Sequence, residues 1–315
     1  MEDLTNARKT TTNISVVVPV FNSQLILPQL AEQLGDVLIK IDGNFEVVMV
    51  NDGSNDQSWE IISELSKTRS WIKGINLSRN FGQHNALLCG IRAAKGDIIA
   101  TLDDDLQHPP KEIPKLLRKL SDGFDVVYGA PQKEQHGFLR NIASQITKMV
   151  LQGAMGVDIA RNVSAFRAFR SHLRGAFNNY QGSFVSIDVL LTWGTKNFAV
   201  VPVIHNSRRA GRSNYTFRML ISHAFNMITG FSVLPLQFAS LIGFVFTLFG
   251  LVVLMYVLTT YFVVGGRVQG FPFISSIIAI FSGAQLFALG IIGEYLARMH
   301  FRIMEKPPYV IRSHT

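Results

Sequence analysis

Residues Thr101 to Pro110 read TLDDDLQHPP, an apolar run that passes straight into three adjacent carboxylates, a glutamine and a double proline. Neighbouring carboxylates repel unless a cation or a proton sits among them, so this segment predicts a site that holds something positive. Asp103 and Asp105 are two positions apart. If the strand stays extended they point the same way, and Asp104 points opposite. With the amide oxygen of Gln107 they make a hard, oxygen-only, partial ligand set. Such a set suits Mg²⁺ or Mn²⁺ completed by water and a phosphate-bearing ligand. The competing explanation is a solvated acidic turn before a helix, with Asp caps and proline in the first turn. Neither G-x-x-x-x-G-K-[ST] nor G-x-G-x-x-G follows the first strand, so no P-loop or dinucleotide fingerprint accounts for phosphate binding. A metal on Asp-x-Asp would do so instead.

The elements that must position these groups alternate. ISVVVPV (14–20), FEVVMVN (45–51), IKGINL (72–77), DIIATL (97–102) and DVVYG (125–129) are short runs rich in β-branched residues. Between them lie the helical periods LILPQLAEQLGDVLIKI, DQSWEIISELSKT and PKEIPKLLRKL. This order predicts an α/β domain with a mainly parallel sheet, in which ligands bind at the carboxyl ends of the strands. Asn22 follows the first strand, Asp52 the second, Arg79 and Asn80 the third, and Asp103 to Gln107 the fourth. Residues 138–151 read as a further helix, 200–205 as a later strand and 215–230 as a helix approaching a membrane.

Of the 315 residues 48% are hydrophobic, and the excess is local. Ser232 to Val264 and Phe271 to Gly293 carry no charge, and each exceeds the roughly 20 residues that cross a bilayer core. Two transmembrane helices are expected, joined by GGRVQG, rather than two buried helices of a soluble core. Gln285 and the small residues Gly283, Ala284, Ala288 and Gly290 would suit close helix contact and permit a homo-oligomer. Arg208, Arg209, Arg212 and Arg218 precede the first span and Arg298, Arg302, Lys306 and Arg312 follow the second, whereas the connection carries only Arg267. Both ends are therefore expected on the cytoplasmic side. The first residues lack the basic and apolar regions of a signal peptide. A single cysteine, Cys89, fits a reducing compartment. The net charge of +8 comes from basic residues crowded near the spans without interleaved aromatic motifs, which points to anionic membrane lipid and not to nucleic acid. The expected division is a cytoplasmic domain over 1–214, a juxtamembrane amphipathic helix over 215–231, a two-helix membrane region over 232–296 and a cytoplasmic tail over 297–315.

Several segments together resemble the family 2 glycosyltransferases, and within them the polyprenyl-phosphate glycosyltransferases. These are VVVPVFN, VMVNDGSNDQS, NLSRNFGQHNALLCGI, DIIATLDDDLQHPPKEIP, RRAGRSNY and GIIGEYLARM. The resembled group includes dolichyl-phosphate mannose synthases and bacterial enzymes that glycosylate undecaprenyl phosphate. The resemblance implies a GT-A, Rossmann-like fold in a bacterial inner-membrane enzyme. Its donor would be a nucleotide diphosphate sugar, UDP-linked, and its acceptor undecaprenyl phosphate. Carried over residue by residue, it implies that Pro19 and Asn22 line the nucleotide pocket with Arg79 and Asn80. Asp52 would contact the base or ribose, and Asp103, Asp105 and Gln107 would hold the metal and diphosphate. Arg208, three residues before Gly211, and the Arg140 and Ser144 pair match acceptor-phosphate positions. Lys133 stands near a place where relatives carry Arg. Arg167 also falls in a family motif. The middle residue of the acidic motif is commonly Ala in the family and is Asp104 here, and Ser23 stands where Glu is frequent.

A phosphomonoester acceptor has its second pKa near 6, so at neutral pH it is already an anionic nucleophile and needs no protein base. Neutralising repulsion, aligning the reactants and stabilising the leaving diphosphate remain for the metal and the arginines. The expected reaction is one in-line displacement with inversion, since a retaining route would call for a positioned carboxylate nucleophile. Two rivals share the fold: a processive polysaccharide synthase, whose Gln-x-x-Arg-Trp motif is missing here, and a catalytically silent membrane scaffold.

Overall fold

The computed structural model describes residues 13–41, 43–131, 162–182, 185–206, 234–264 and 270–315. The β-branched run ISVVVPV forms strand β1 (Ile14–Val20) and is buried at every position, as a strand covered on both faces must be. Strand β2 (Phe45–Asn51) and strand β4 (Ile98–Thr101) flank β1 in parallel, and β3 (Ile72–Leu77) continues the sheet beyond β2. Helix α1 (Leu27–Leu38) shows why the connections pack: Leu27, Leu30, Ala31, Leu34 and Leu38 recur at helical spacing and are all buried. Pro28 sits in the first turn, where its missing N–H costs no intrahelical bond. Helix α2 (Ser58–Thr68), α3 (Gln83–Ala93) and α4 (Ile113–Ser121) complete the expected alternation.

The other half of the sheet differs from the simple parallel expectation. Strand β6 (Arg167–Arg170) runs antiparallel between β4 and β5 (Val126–Pro131), and β7 (Phe198–Val203) lies parallel to β5. Helix α5 (Ile187–Gly194) precedes β7. At the far edge, β8 (Ile311–His314) pairs antiparallel with β3. The full order is β7-β5-β6-β4-β1-β2-β3-β8. The sheet is mixed because two strands of four residues each enter it backwards. RAFR reads as a charged patch and IRSH as a tail, so neither carries a strand signal that periodicity would find.

The chain divides into two units, Met1–Leu220 with Glu305–Thr315, and Ile221–Met304. The second contains α6 (Leu234–Val264) and α7 (Phe271–Ile303), both long and apolar enough to cross a membrane. Their best windows have mean hydropathies of 2.7 and 1.4, and most of the large apolar side chains there are exposed. Phe281 of α7 packs on α6, with its ring 5.6 Å from that of Phe246 and 6.4 Å from that of Phe249. Gly250 makes room for it, since a Cβ there would lie 3.1 Å from the Phe281 ring. Among the described residues a Cβ at Gly283 or Gly290 would meet nothing within 4 Å. Helix α7 continues ten residues past the uncharged run that ends at Gly293 and carries the Glu294–Arg298 ion pair at 2.7 Å. The juxtamembrane helix expected over 215–231 lies outside the described residues.

Candidate active site

The carboxyl ends of β1, β2, β3 and β4 open on one side of the sheet, and the loops that leave them are tied together by short polar side chains. Beyond β1 the chain turns at Asn22, whose φ of 54° lies in the left-handed region that Asn tolerates. Its backbone N–H donates to Ser54 Oγ at 3.0 Å, and its side-chain oxygen accepts from Asn55 N at 2.8 Å. Asn22 therefore fastens the β1 loop to the β2 loop. It does not line the cavity described below.

Asp52 follows β2, is buried, and accepts the backbone N–H groups of Phe81 at 2.7 Å and Gly82 at 2.8 Å, one on each oxygen. Burial raises its carboxyl above the ordinary range, and those two N–H groups pull the other way. Asp52 thereby holds the entry to α3. Beside it, Gly53 has φ +63°, and the backbone of Arg79 and Asn80 passes so close that a Cβ would sit 2.4 Å from it. Only glycine fits both demands.

After β4 the chain does not stay extended. It turns through Asp104 and Asp105, and Leu106 adopts φ 57°. Asp104 consequently reaches back to the β1 loop, accepting from Phe21 N at 3.1 Å and Ser23 Oγ at 2.5 Å. The residue that stands where the family has Ala is a staple between two loops. Ser23 is its partner. Asp103 accepts from Gln83 Nε2 at 2.6 Å, and Asp105, 9% exposed, accepts from Gln107 N at 3.0 Å. Burial, together with the charges of Asp105 and Asp104, pushes the Asp103 carboxyl up to about 7.

A cavity of about 230 Å³ lies over this turn, lined by Pro19, Val20, Phe21, Asp52, Asn80, Gly82, Gln83, Asp103, Asp104 and Asp105. It brings together five of the residues expected at the donor site: Pro19, Asp52, Asn80, Asp103 and Asp105. Arg79 belongs to a second, larger cavity that shares Phe21 and Asn80 with the first. Gln107 is not among the lining residues. Its carbonyl accepts from Asn206 N at 2.8 Å, which ties the turn to the chain beyond β7. Lys133, Arg140, Ser144 and Arg208 lie outside the described residues.

Among the described residues no three His, Cys, Asp or Glu side chains converge as a complete metal cage. Asp103 and Asp105 fit a divalent ion in a different way. Their mutual repulsion is relieved when a cation is placed between them, and the remaining ligands would come from water and a diphosphate. His108, which follows Gln107, is buried with neither ring nitrogen hydrogen-bonded among the described residues. It stacks on Phe166 at 5.2 Å and meets His205 edge-on at 4.8 Å. Burial and His205 bring its pKa down to about 4, so it packs as a neutral ring.

Sequence reasoning left Arg167 without a role. The structure buries it completely beneath the acidic turn, where its Nε donates to Thr101 Oγ1 at 3.1 Å and its guanidinium pairs with Asp188. Tyr128 Oη donates to the same Asp188 oxygen at 3.0 Å. Asp188 was not singled out at all. Its only signal was a carboxylate within the apolar run FVSIDVLL, which needs a buried partner.

Comparison with known proteins places this arrangement. The model of "Glycosyl transferase family 2" matches residues 15–179. The undecaprenyl-phosphate 4-deoxy-4-formamido-L-arabinose transferase of Pectobacterium atrosepticum is 34% identical over 304 residues, covering 96% of this chain and 93% of that protein. The Klebsiella pneumoniae protein of the same name is 32% identical over 302 residues, covering 95% and 92%. Among solved structures, a mycobacterial protein aligns with a TM-score of 0.51 at 17% identity over 69% of this chain and 73% of its own. Glucosyl-3-phosphoglycerate synthase from Mycobacterium tuberculosis, solved with Mn²⁺ and UDP-glucose, aligns at 0.50 with 16% identity over 69% and 77%. These structures share the GT-A fold. A matched family model over the strands that carry Asp52, Asp103 and Asp105, joined to relatives that align over nearly the whole length, shows that the chain belongs to glycosyl transferase family 2.

Proposed function

We propose that this protein transfers a sugar from a UDP-linked donor to undecaprenyl phosphate, with inversion at the anomeric carbon. The observation that carries the reading is the convergence of Asp103 and Asp105 on a cavity walled by Pro19, Asp52 and Asn80 at the carboxyl ends of four adjacent strands. When bound, Mg²⁺ or Mn²⁺ would supply positive charge to the donor diphosphate. Asp103 and Asp105 would hold it, with Gln107 adjacent. Gln83 fixes the orientation of Asp103, Asp104 fixes the loop that forms the opposite wall, and Asp52 fixes the start of α3. The acceptor phosphate is itself the nucleophile. In this reading Arg140, Ser144, Arg208 and Lys133 gather it and align it for in-line attack.

The names of the relatives make 4-deoxy-4-formamido-L-arabinose the first sugar to test. Helices α6 and α7 are proposed to cross the bacterial inner membrane, with the glycosyltransferase domain over 1–214 and both termini in the cytoplasm. The basic flanks support that side. The sheet supports an even number of crossings, since residues before α6 and residues after α7 share it.

The test is transfer of labelled sugar from a panel of nucleotide sugars to undecaprenyl phosphate by the detergent-purified full-length protein. Label should appear in the lipid fraction only with Mg²⁺ or Mn²⁺ present, and should vanish in Asp105→Asn. Tight metal-dependent donor binding without transfer would overturn the acceptor assignment. Absence of any donor binding would leave the scaffold reading in its place.

A further inference from the structure

The second cavity, about 550 Å³, opens at the carboxyl ends of β2 and β3 and meets the first along Phe21 and Asn80. Several polar groups on its walls are already engaged. Asn51 Nδ2 donates to Asn76 Oδ1 at 2.8 Å, Ser54 Oγ donates to Asn51 Oδ1 at 2.6 Å, and Asp56 accepts from Gln24 N and Ser58. Two guanidinium groups remain, together with the carboxylate of Glu60 and the side chains of Asn55, Ser78 and Asn80. Arg79 leaves β3 and lies 4.6 Å over the ring of Phe81. Arg312 comes from β8, more than two hundred positions later in the chain. Among the described residues neither has a hydrogen-bond or ion-pair partner.

Arg312 reaches this cavity because of a bulge. Ile311 pairs with Leu77 and Ser313 pairs with Asn76, so Arg312 is the extra residue on its strand and the register shifts there. Such a bulge bends the strand and re-aims the side chain that it frees. The strand around it is fastened at both ends. Ser78 N donates to the Val310 carbonyl at 2.9 Å, Gly74 N donates to Thr315 Oγ1 at 2.8 Å, and Thr315 N returns a bond to the Gly74 carbonyl at 3.1 Å. Arg312 is therefore held against the cavity and is not the end of a loose tail.

We infer that Arg312 is a specificity-determining residue for the donor's nucleobase. Phe21, 42% exposed at the junction of the two cavities, offers the stacking face, and Arg79 and Arg312 offer donors to the base edge. This rests on the donor reading above. Guanidinium groups donate and never accept, so they favour a base that presents carbonyl oxygens. Uracil presents two. Cytosine replaces one of them with an amino group, which would face a second donor. The strand that follows the apolar helices thus completes the base end of a cleft whose diphosphate end is built from residues 19–105.

The experiment is equilibrium binding of UDP, CDP and pyrophosphate, each with Mn²⁺, to full-length wild type, Arg312→Ala and Arg312→Gln in detergent. Thermal denaturation checks that β8 stays docked. The UDP dissociation constant should rise about tenfold in Arg312→Ala, with a smaller rise in Arg312→Gln, which keeps an amide N–H₂ donor group. Pyrophosphate binding should stay unchanged, and the preference for UDP over CDP should shrink. In turnover the donor KM should rise while kcat holds. Unchanged UDP binding in Arg312→Ala would overturn the inference and leave the donor reading standing, and equal losses of UDP and pyrophosphate would reduce Arg312 to a structural part. If the wild type binds no nucleoside diphosphate, the donor reading falls first and this inference with it.

Discussion

At the scale of single residues, two carboxylates of one turn have separable duties. All three aspartates line the cavity, but Asp104 is bound to the β1 loop, whereas Asp103 accepts from Gln83 and Asp105 from Gln107 N. Asp104→Ala should therefore weaken donor binding through a loosened wall yet keep metal-dependent turnover. Asp105→Asn should lower kcat by at least about a hundredfold and remove the response to Mn²⁺ in a metal titration. Asp103 also sets a pH dependence. Its carboxyl, at about 7 in the folded protein, sits far above the roughly 3.9 of an unfolded chain. Between those values the folded state keeps a proton that the unfolded state has lost, so this group removes stability as pH rises from about 4 to about 7. Asp103→Asn should accordingly raise the denaturation temperature at pH 8 in the presence of EDTA, by roughly 2–4 °C for each kcal/mol of repulsion relieved. A divalent ion competes with the same proton, so the apparent Mn²⁺ affinity of the wild type should fall about tenfold per pH unit below 7.

At the scale of elements, the strands that announced themselves were those with enough β-branched residues to be read alone. The runs ISVVVPV, FEVVMVN and IKGINL became β1, β2 and β3 at the residues expected. The carboxyl-end loops were legible for the same reason, because a parallel sheet dictates where Asp52 and Asp103 must emerge. β6 was not legible, since a four-residue strand flanked by arginines is specified by its partners and not by its own pattern. Its Arg167 has meaning only when Thr101 and Asp188 are seen around it. Breaking one side of that buried pair strands a charge, at a cost of about 3–5 kcal/mol. Asp188→Asn and Arg167→Met should each lower the chemical-denaturation midpoint strongly. The double variant should lose less than the sum of the two, and a full additive loss would show that the pair is not coupled. Gln107 was read for its side-chain oxygen, whereas its backbone does the visible tying. That distinction belongs to turn geometry, which residue type alone does not encode.

At the scale of the whole molecule, the expected tail over 297–315 begins within α7 and ends in the sheet, where Ile311–His314 covers the edge of β3. An uncovered β3 would present unpaired N–H and C=O groups, which is a template for aggregation. Ser313→Pro removes a ladder donor and should shift the purified protein toward aggregates on gel filtration, whereas Ser313→Thr should not. The same connectivity orders events in time. A ribosome releases β1 to β7 first, then both apolar helices, and the eleven residues from Glu305 to Thr315 only after them. Until those residues emerge, β3 has an open flank and the larger cavity lacks Arg312. A nascent chain that has not yet released β8 therefore has the larger cavity without its Arg312 wall, and that wall is built only after both apolar helices have been made.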